Sequence, residues 1–315
     1  MASRLLLLDR VKNERESFLA PLMPALRAEY ETRFMTARGH DGLAEAIAWA
    51  DIVWLEWCWD HAVWVTNSGL LAGKPCVMRL HSIEAMQTDF PARVDWSSVT
   101  RLITVGEDIT ELLLTNFKSA RSMPRPDIIP NGIDMALFAA AEPDRFKIAW
   151  VGHLEPKKNP MLMLQIAHTL LSRDRRYSLH VAGAWTDTRT TRYVHALMES
   201  LELQGSITFE GHVADMPHWY RDKGILLSTS MYESFGLNIG EAMAVGAFPV
   251  VHAFPGSARL WPGECLFASV EQAVALIQDA RPNLYRDWVG QRYSLDRQIT
   301  SVVGLLRDLP NRSVS

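Results

Sequence analysis

The sequence predicts an α/β protein built as two doubly wound domains, each a parallel sheet with right-handed crossovers. Three observations carry this. The 315 residues exceed one typical domain and suit two of about 150, each long enough to bury a core. Short apolar runs of strand length alternate with helical stretches, and the scheme occurs twice along the chain. A loop around 139–144 separates the two series.

In the first series Leu5–Asp9, Arg33–Thr36, Asp51–Trp57, Pro75–His81, Leu102–Val105 and Asp127–Pro130 read as strands, with helical spacing between most of them. In the second, Lys147–Gly152, Ser178–Gly183, Ile207–Glu210, Ile225–Thr229 and Pro249–His252 repeat the pattern. Such alternation forms parallel sheets whose crossovers are right-handed. The tail from about Asn283 reads as helix, with Trp288, Tyr293 and Leu295 as its anchors.

Composition bounds the function classes. Hydrophobic content of 48% and charged content of 22% are those of a globular protein without a membrane span, since no apolar run approaches the roughly 20 residues a bilayer requires. Met1–Asp9 lacks a signal-peptide cleavage pattern, and the expected location is cytoplasmic. Cys58, Cys76 and Cys265 are odd in number and far apart, against a disulfide framework or zinc cluster. A net charge of -4 argues against a nucleic-acid partner. Residues 1–144 hold 14 Lys+Arg against 20 Asp+Glu, and residues 145–315 hold 18 against 16. The acidic first half weakly disfavours peripheral docking on an anionic membrane.

The most informative segment is Tyr232–Val251, which places Glu233 and Glu241 eight positions apart across a glycine-containing turn. The turn leaves an apolar strand and enters a helix expected to open near Phe235 and run about four turns, with Leu237, Ile239, Met243 and Val245 at helical spacing. In open α/β sheets that crevice is the usual ligand position, and the first helical amides favour an anion. Glu241 then falls within the first two turns, near Glu233, and both reach one ligand. The spacing alone says little, because Glu202 and Glu210 share it. The context of Ser234, Phe235, Gly236 and Asn238, a poor core and a good ligand loop, carries the reading.

Four ordered segments give this chain a resemblance to the large retaining glycosyltransferase family of the GT-B fold that includes glycogen synthases and sucrose synthases. They are Pro130-Asn131-Gly132-Ile133-Asp134 with Phe138 after it, Trp150 to Asn159, Ile207 to Val213, and Glu233 to Val251 ending in Gly-x-Pro-Val-Val. The resemblance is strong over residues 127–256 and thin over the first 120. It implies a GT-B architecture of two Rossmann-like domains facing across a cleft. Residues 1–142 would bind the acceptor, residues 143–282 the donor, and the helical tail 283–315 would cross back to the first domain.

The activity implied is retaining transfer of a sugar from a nucleotide-diphosphate sugar to an acceptor hydroxyl. In the family's front-face mechanism the departing phosphate oxygen takes the acceptor's proton and no protein nucleophile is needed. Glu233 would orient the sugar hydroxyls, Glu241 the ribose, and the Ser234, Phe235, Gly236 and Leu237 amides would hold phosphate. Lys158 would neutralise the leaving diphosphate, although Lys157 is its neighbour. Val213, with Gly211 before it, would offer backbone groups to the base. His153 stands where the family has a diphosphate-gripping arginine, so donor affinity is expected to fall above neutral pH; the other reading is a histidine capping the loop.

In the first domain the family places at His81 a histidine that meets the donor sugar. Trp49, Trp54, Trp57, Trp59 and Trp64 crowd one stretch; most are expected in the core, with Trp57, Glu56 and Asp60 as the acceptor-side candidates. Asp9 to Glu14 replaces the family's Gly-Gly loop, leaving Arg10 or Lys12 to supply charge there. No Asp-x-Asp occurs, so no metal or other cofactor is expected. The partners are a nucleotide sugar and a carbohydrate, lipid-linked or small-molecule acceptor. The alternatives are a non-catalytic nucleotide-sugar-binding GT-B protein and a GT-B nucleotide-sugar epimerase. A dinucleotide oxidoreductase is disfavoured because no Gly-x-Gly-x-x-Gly follows the first strand.

Overall fold

The computed structural model describes residues 2–310, which form two compact units. The first takes the chain to Asn131 together with the stretch from Leu295 onward, and the second is Gly132–Ser294. Each holds one six-stranded parallel sheet. The expected α/β class with two doubly wound sheets is what the chain forms.

In the first unit the strands are β1 (Arg4–Asp9), β2 (Glu31–Thr36), β3 (Ile52–Glu56), β4 (Cys76–Leu80), β5 (Arg101–Thr104) and β6 (Asp127–Ile128), in the order β2-β1-β3-β4-β5-β6. Leu5 to Leu8 are all fully buried, as a central parallel strand covered on both faces requires. Leu5, Leu7, Trp54, Val77 and Ile103 share a core with Val302, Leu305 and Leu306 of the helix Leu295–Arg307. That helix is also tied to the same unit by a bidentate pair from Arg307 to Glu29.

The second unit contains β7 (Asp144–Val151), β8 (Ser178–Ala182), β9 (Ile207–Gly211), β10 (Lys223–Ser228), β11 (Phe248–His252) and β12 (Leu266–Phe267), in the order β12-β11-β10-β7-β8-β9. Central strand β10 is buried along its whole length.

Three expectations differ from the structure. Residues 132–142 pack with the second unit: Ile133 donates its amide to Tyr293 O at 2.7 Å, Ala141 donates to Val245 O at 3.0 Å, and the Arg286 guanidinium donates to Phe138 O at 3.0 Å. The tail is two helices. Arg286–Tyr293 lies in the second unit, where Tyr293 Oη donates to Leu260 O at 2.7 Å, while Leu295–Arg307 lies in the first. The break at Ser294, in extended conformation, lets one tail serve both cores. Finally, β12 was not visible in the sequence because two residues carry no periodicity. Among the described residues no helix is long and apolar enough to cross a membrane.

Candidate functional site

Both sheets have a point where the strand order reverses direction, and ligands of open α/β sheets bind at the carboxyl ends of the strands there. In the second unit β7 and β10 are the adjacent strands from which the chain winds in opposite directions. The loops leaving them are Gly152–Asn159 and Thr229–Gly236. Sequence reasoning put Lys158 on one and Glu233 on the other, and the structure brings the two together.

These loops are stitched to each other. Trp150 Nε1 donates to Thr229 Oγ1 at 2.9 Å, and Thr229 Oγ1 donates onward to Lys158 O at 2.8 Å. Met231 donates its amide to Lys157 O at 2.9 Å, and His252 Nδ1 lies 3.1 Å from Ser230 O. Asn238 Nδ2 donates to Val151 O at 3.1 Å, joining the next helix to the end of β7. The signal that marks Thr229 and Ser230 is a pair of hydroxyls following a buried strand; the contribution of Thr229 was not legible because its partners, Trp150 and Lys158, lie 79 and 71 residues away.

Close backbone approach shapes the floor. A Cβ at Gly183 would lie 1.8 Å from Gly152 O, and one at Gly152 would meet Lys158 Cδ at 3.0 Å. Both glycines have φ of +154°, which side chains rarely adopt. The bare backbone therefore lets the Lys158 stem lie flat over the end of β7 and puts its ammonium beside Glu233.

Lys158 Nζ donates to Glu233 Oε1, Ser230 Oγ donates to the same oxygen at 2.7 Å, and Lys157 Nζ stands 3.7 Å from Oε2. Asn159, at φ +51°, caps the helix Pro160–Arg173 by accepting from Leu162 N. The helix after Glu233 runs from Leu237 to Val245 and is shorter than the expected four turns, because Gly236 at φ +88° forms its amino cap and Gly246 ends it. Glu241 is its fifth residue, half-buried, and burial pushes its carboxyl up to about 7. Ser234 and Leu237 are half-buried.

Phe235 requires a correction. Its side chain is 1% exposed and packs against Trp261 and Tyr293 at ring separations of 5.3 and 5.0 Å, so it belongs to the core and leaves only its backbone to the loop. His153 is exposed on the loop after β7, and Val213 follows the outermost strand β9, also at the carboxyl ends of the strands, beyond Gly211 at φ +68°.

In the first unit the reversal lies between β1 and β3. Glu56 was expected at the acceptor side, but its carboxylate is completely buried and fully engaged. It accepts from Trp54 Nε1 at 3.0 Å, Arg79 Nε at 2.9 Å and His81 Nε2 at 3.0 Å. The Arg79 and His81 partners outweigh its burial and hold it down at about 2. Because an ionised carboxylate only accepts, the Nε2 of neutral His81 carries the proton; burial lowers the His81 pKa and favours that neutral form. Its ring lies 4.2 Å from Trp57 and 5.1 Å from Phe18, centroid to centroid. Trp57 has φ of +73°, a strained conformation for a bulky residue, held where β3 ends.

Asp60 stands 3.6 Å from Arg10, whose guanidinium lies 4.3 Å from the Trp59 ring. Glu84 was not singled out by sequence: it is fully buried, accepts from Cys58 N at 2.9 Å, and burial raises it to about 8.

Comparison with known proteins supplies the context for this geometry. Residues 138–261 match the family described as Glycosyl transferases group 1. The D-inositol 3-phosphate glycosyltransferase of Frankia alni is 30% identical over 154 residues, covering 43% of this chain and 38% of that protein. The mannosylfructose-phosphate synthase of Agrobacterium fabrum is 34% identical over 116 residues, 35% of this chain and 26% of its own length. The chain thus spans roughly a quarter to two-fifths of such curated relatives. Among solved structures, Anabaena HepE in complex with UDP and glucose superposes with a TM-score of 0.79 at 15% identity, covering 98% of this chain and all of that one. Sucrose-phosphate synthase from Thermosynechococcus elongatus gives 0.73 at 15% identity, with 98% and 99% covered. These likenesses establish the GT-B fold.

Proposed function

We propose that this chain, which carries the group 1 glycosyl transferase segment at 138–261, is a retaining, metal-independent glycosyltransferase that uses a nucleotide-diphosphate sugar. The single observation supporting it most is the meeting of Lys158 and Glu233 at the reversal point of the second sheet, beside the opening of the helix Leu237–Val245. A cation for phosphate, a carboxylate for hydroxyls and a helix amino end for an anion are the three groups a nucleotide-diphosphate sugar calls for. Relatives named for transfer to inositol 3-phosphate and for synthesis of mannosylfructose phosphate point the same way.

In this reading Lys158 and the amides of the turn from Ser234 to Leu237 take the diphosphate. As the glycosidic bond to the leaving phosphate breaks, the ammonium stabilises the growing negative charge without a metal. Glu233 holds sugar hydroxyls. Glu241, with a carboxyl poised at about 7, pairs with the ribose hydroxyls as acceptor or donor. Backbone groups near Val213 meet the base, and His153 meets the diphosphate. The first unit is the acceptor half, with the Trp57 ring as a stacking face and Asp60 as a hydroxyl partner. The departing phosphate oxygen takes the acceptor's proton, so the chemistry rests on positioning and charge.

Thermal unfolding with UDP, GDP, dTDP, CDP and ADP tests the donor site. One nucleotide at 100 times its Kd is expected to add about 2.7 kcal/mol, and the gain is lost in Lys158→Ala and Glu241→Ala. No stabilisation by any of them at millimolar concentration would remove this reading. With the donor known, proton NMR of the product anomer reads retention against inversion. Activity unchanged by EDTA reads metal independence, and donor affinity flat from about pH 6 to 8.5 would remove His153 from the diphosphate.

A further inference from the structure

We infer that Glu233 and Lys157 together make the donor site discriminate between a nucleotide diphosphate that carries a sugar and one that does not, Lys157 acting as a positioning residue for Glu233. The inference rests on the proposed function, because it takes the Lys158 ammonium to be the diphosphate's partner.

The arrangement has two ammonium groups and one carboxylate. Glu233 is 9% exposed and accepts from Lys158 and Ser230 on Oε1. Lys157, 41% exposed, stands 3.7 Å from Oε2 without closing a hydrogen bond. The site is therefore internally satisfied, and a diphosphate has to compete with Glu233 for Lys158. When Lys158 turns to the phosphate, the nearly buried carboxylate loses its principal counter-charge, and a buried carboxylate without a partner is costly. Lys157 is placed to take it over.

The backbones permit the exchange. Thr229 Oγ1 donates to Lys158 O and Met231 N donates to Lys157 O, so the two loops stay fixed to one another while the side chains swap partners. Lys157 and Lys158 lie on one turn, Pro156–Lys158, and differ in exposure, 41% against 17%, so their roles are distinct: one ammonium in the site and one in reserve at its rim.

The consequence is selectivity. A nucleoside diphosphate ends in a phosphate with a second ionisation near neutral pH, whereas the sugar-capped form carries one charge fewer on that phosphorus. A carboxylate anchored beside the phosphate's ammonium repels the first more than the second. It also offers the sugar hydroxyls an acceptor, which the uncapped nucleotide cannot use. Glu233 thus favours the capped donor and helps expel the uncapped product, and Lys157 sets how strongly by holding the carboxylate in place.

Calorimetric titration of the full chain with UDP, GDP and ADP, and with UDP-glucose, GDP-mannose and ADP-glucose, tests this in wild type, Glu233→Gln, Lys157→Met and the double variant. Glu233→Gln keeps the Ser230 hydrogen bond and removes the charge. It is expected to tighten the matching nucleoside diphosphate roughly tenfold, the size of one screened like-charge contact, while the sugar nucleotide does not tighten. Lys157→Met is expected to weaken the sugar nucleotide several-fold, and to do nothing in the Glu233→Gln background. An unchanged ratio of the two affinities in Glu233→Gln, or additive effects of the two substitutions, would overturn the inference while leaving the donor site standing. Failure of every nucleotide to bind wild type would overturn the proposed function and this inference with it.

Discussion

The two sheet-reversal points hold the same ingredients and use them oppositely. In the first unit a carboxylate meets a guanidinium, Glu56 with Arg79, at 0 and 1% side-chain exposure. In the second a carboxylate meets an ammonium, Glu233 with Lys158, at 9 and 17%. A fully buried pair cannot be broken without stranding a charge in the interior, so the first is fixed architecture that holds His81 in one tautomer. The partly open pair keeps a path to solvent and a second lysine at its rim, so it can be exchanged for a ligand. The difference teaches that the availability of an ion pair, more than its presence, separates an exchangeable charge from a fixed one.

Substitution of the buried carboxylate is the largest test of this contrast. Glu56→Ala is expected to cost about 3–5 kcal/mol by leaving Arg79 unpaired, read as loss of amide-exchange protection in β3 and β4. Glu233→Ala without ligand should cost far less, and equal losses would break the comparison.

The tightness of the second site's backbone sharpens it next. Gly183→Ala meets Gly152 O at 1.8 Å with φ at +154°, and should cost about 3 kcal/mol in urea unfolding of the second unit from clash and backbone strain together. Gly205→Ala, in the same unit at φ +79° but in open space, carries left-handed strain without a clash and should cost about 1 kcal/mol.

A pH dependence probes the same contrast. The Glu241 carboxyl titrates at about 7 in the folded chain against 4.5 unfolded, so the native state holds a proton that the unfolded state has released. Stability should therefore fall as pH rises between those values, by about 1–2 kcal/mol after allowing for the residue's partial exposure, and Glu241→Gln should flatten that slope. Glu56, held at about 2 against 4.5, has the opposite sign: its contribution is present above 4.5 and is lost as pH falls toward 2.

The loop pair of the second unit was legible in the sequence because its parts are local. Glu233, Gly236 and Glu241 lie within one strand-turn-helix unit, and Lys158 closes a second such unit, so chain order already fixes which end of each strand they occupy. The reversal point of the first unit was legible only as a crowd of aromatic residues. Glu56 looked like a polar candidate because nothing nearby in sequence shows that Trp54, Arg79 and His81 converge on it. Phe235, next to Glu233, looked like a ligand-loop residue because its ring partners, Trp261 and Tyr293, come from elements far along the chain.

Periodicity and turn chemistry by themselves determined the α/β class, the two sheets and the strand ends from which Lys158 and Glu233 depart, since each depends on interactions within a few residues. Tertiary structure alone decided that 132–142 joins the second unit, that the tail divides at Ser294, that Glu56 is sealed in and Glu233 left partly open, and that Lys157 stands close enough to share a carboxylate. Those outcomes depend on burial and on partners more than twenty residues apart, and desolvation, which fixes the state of a charge, is a property of the packed interior that no local pattern encodes.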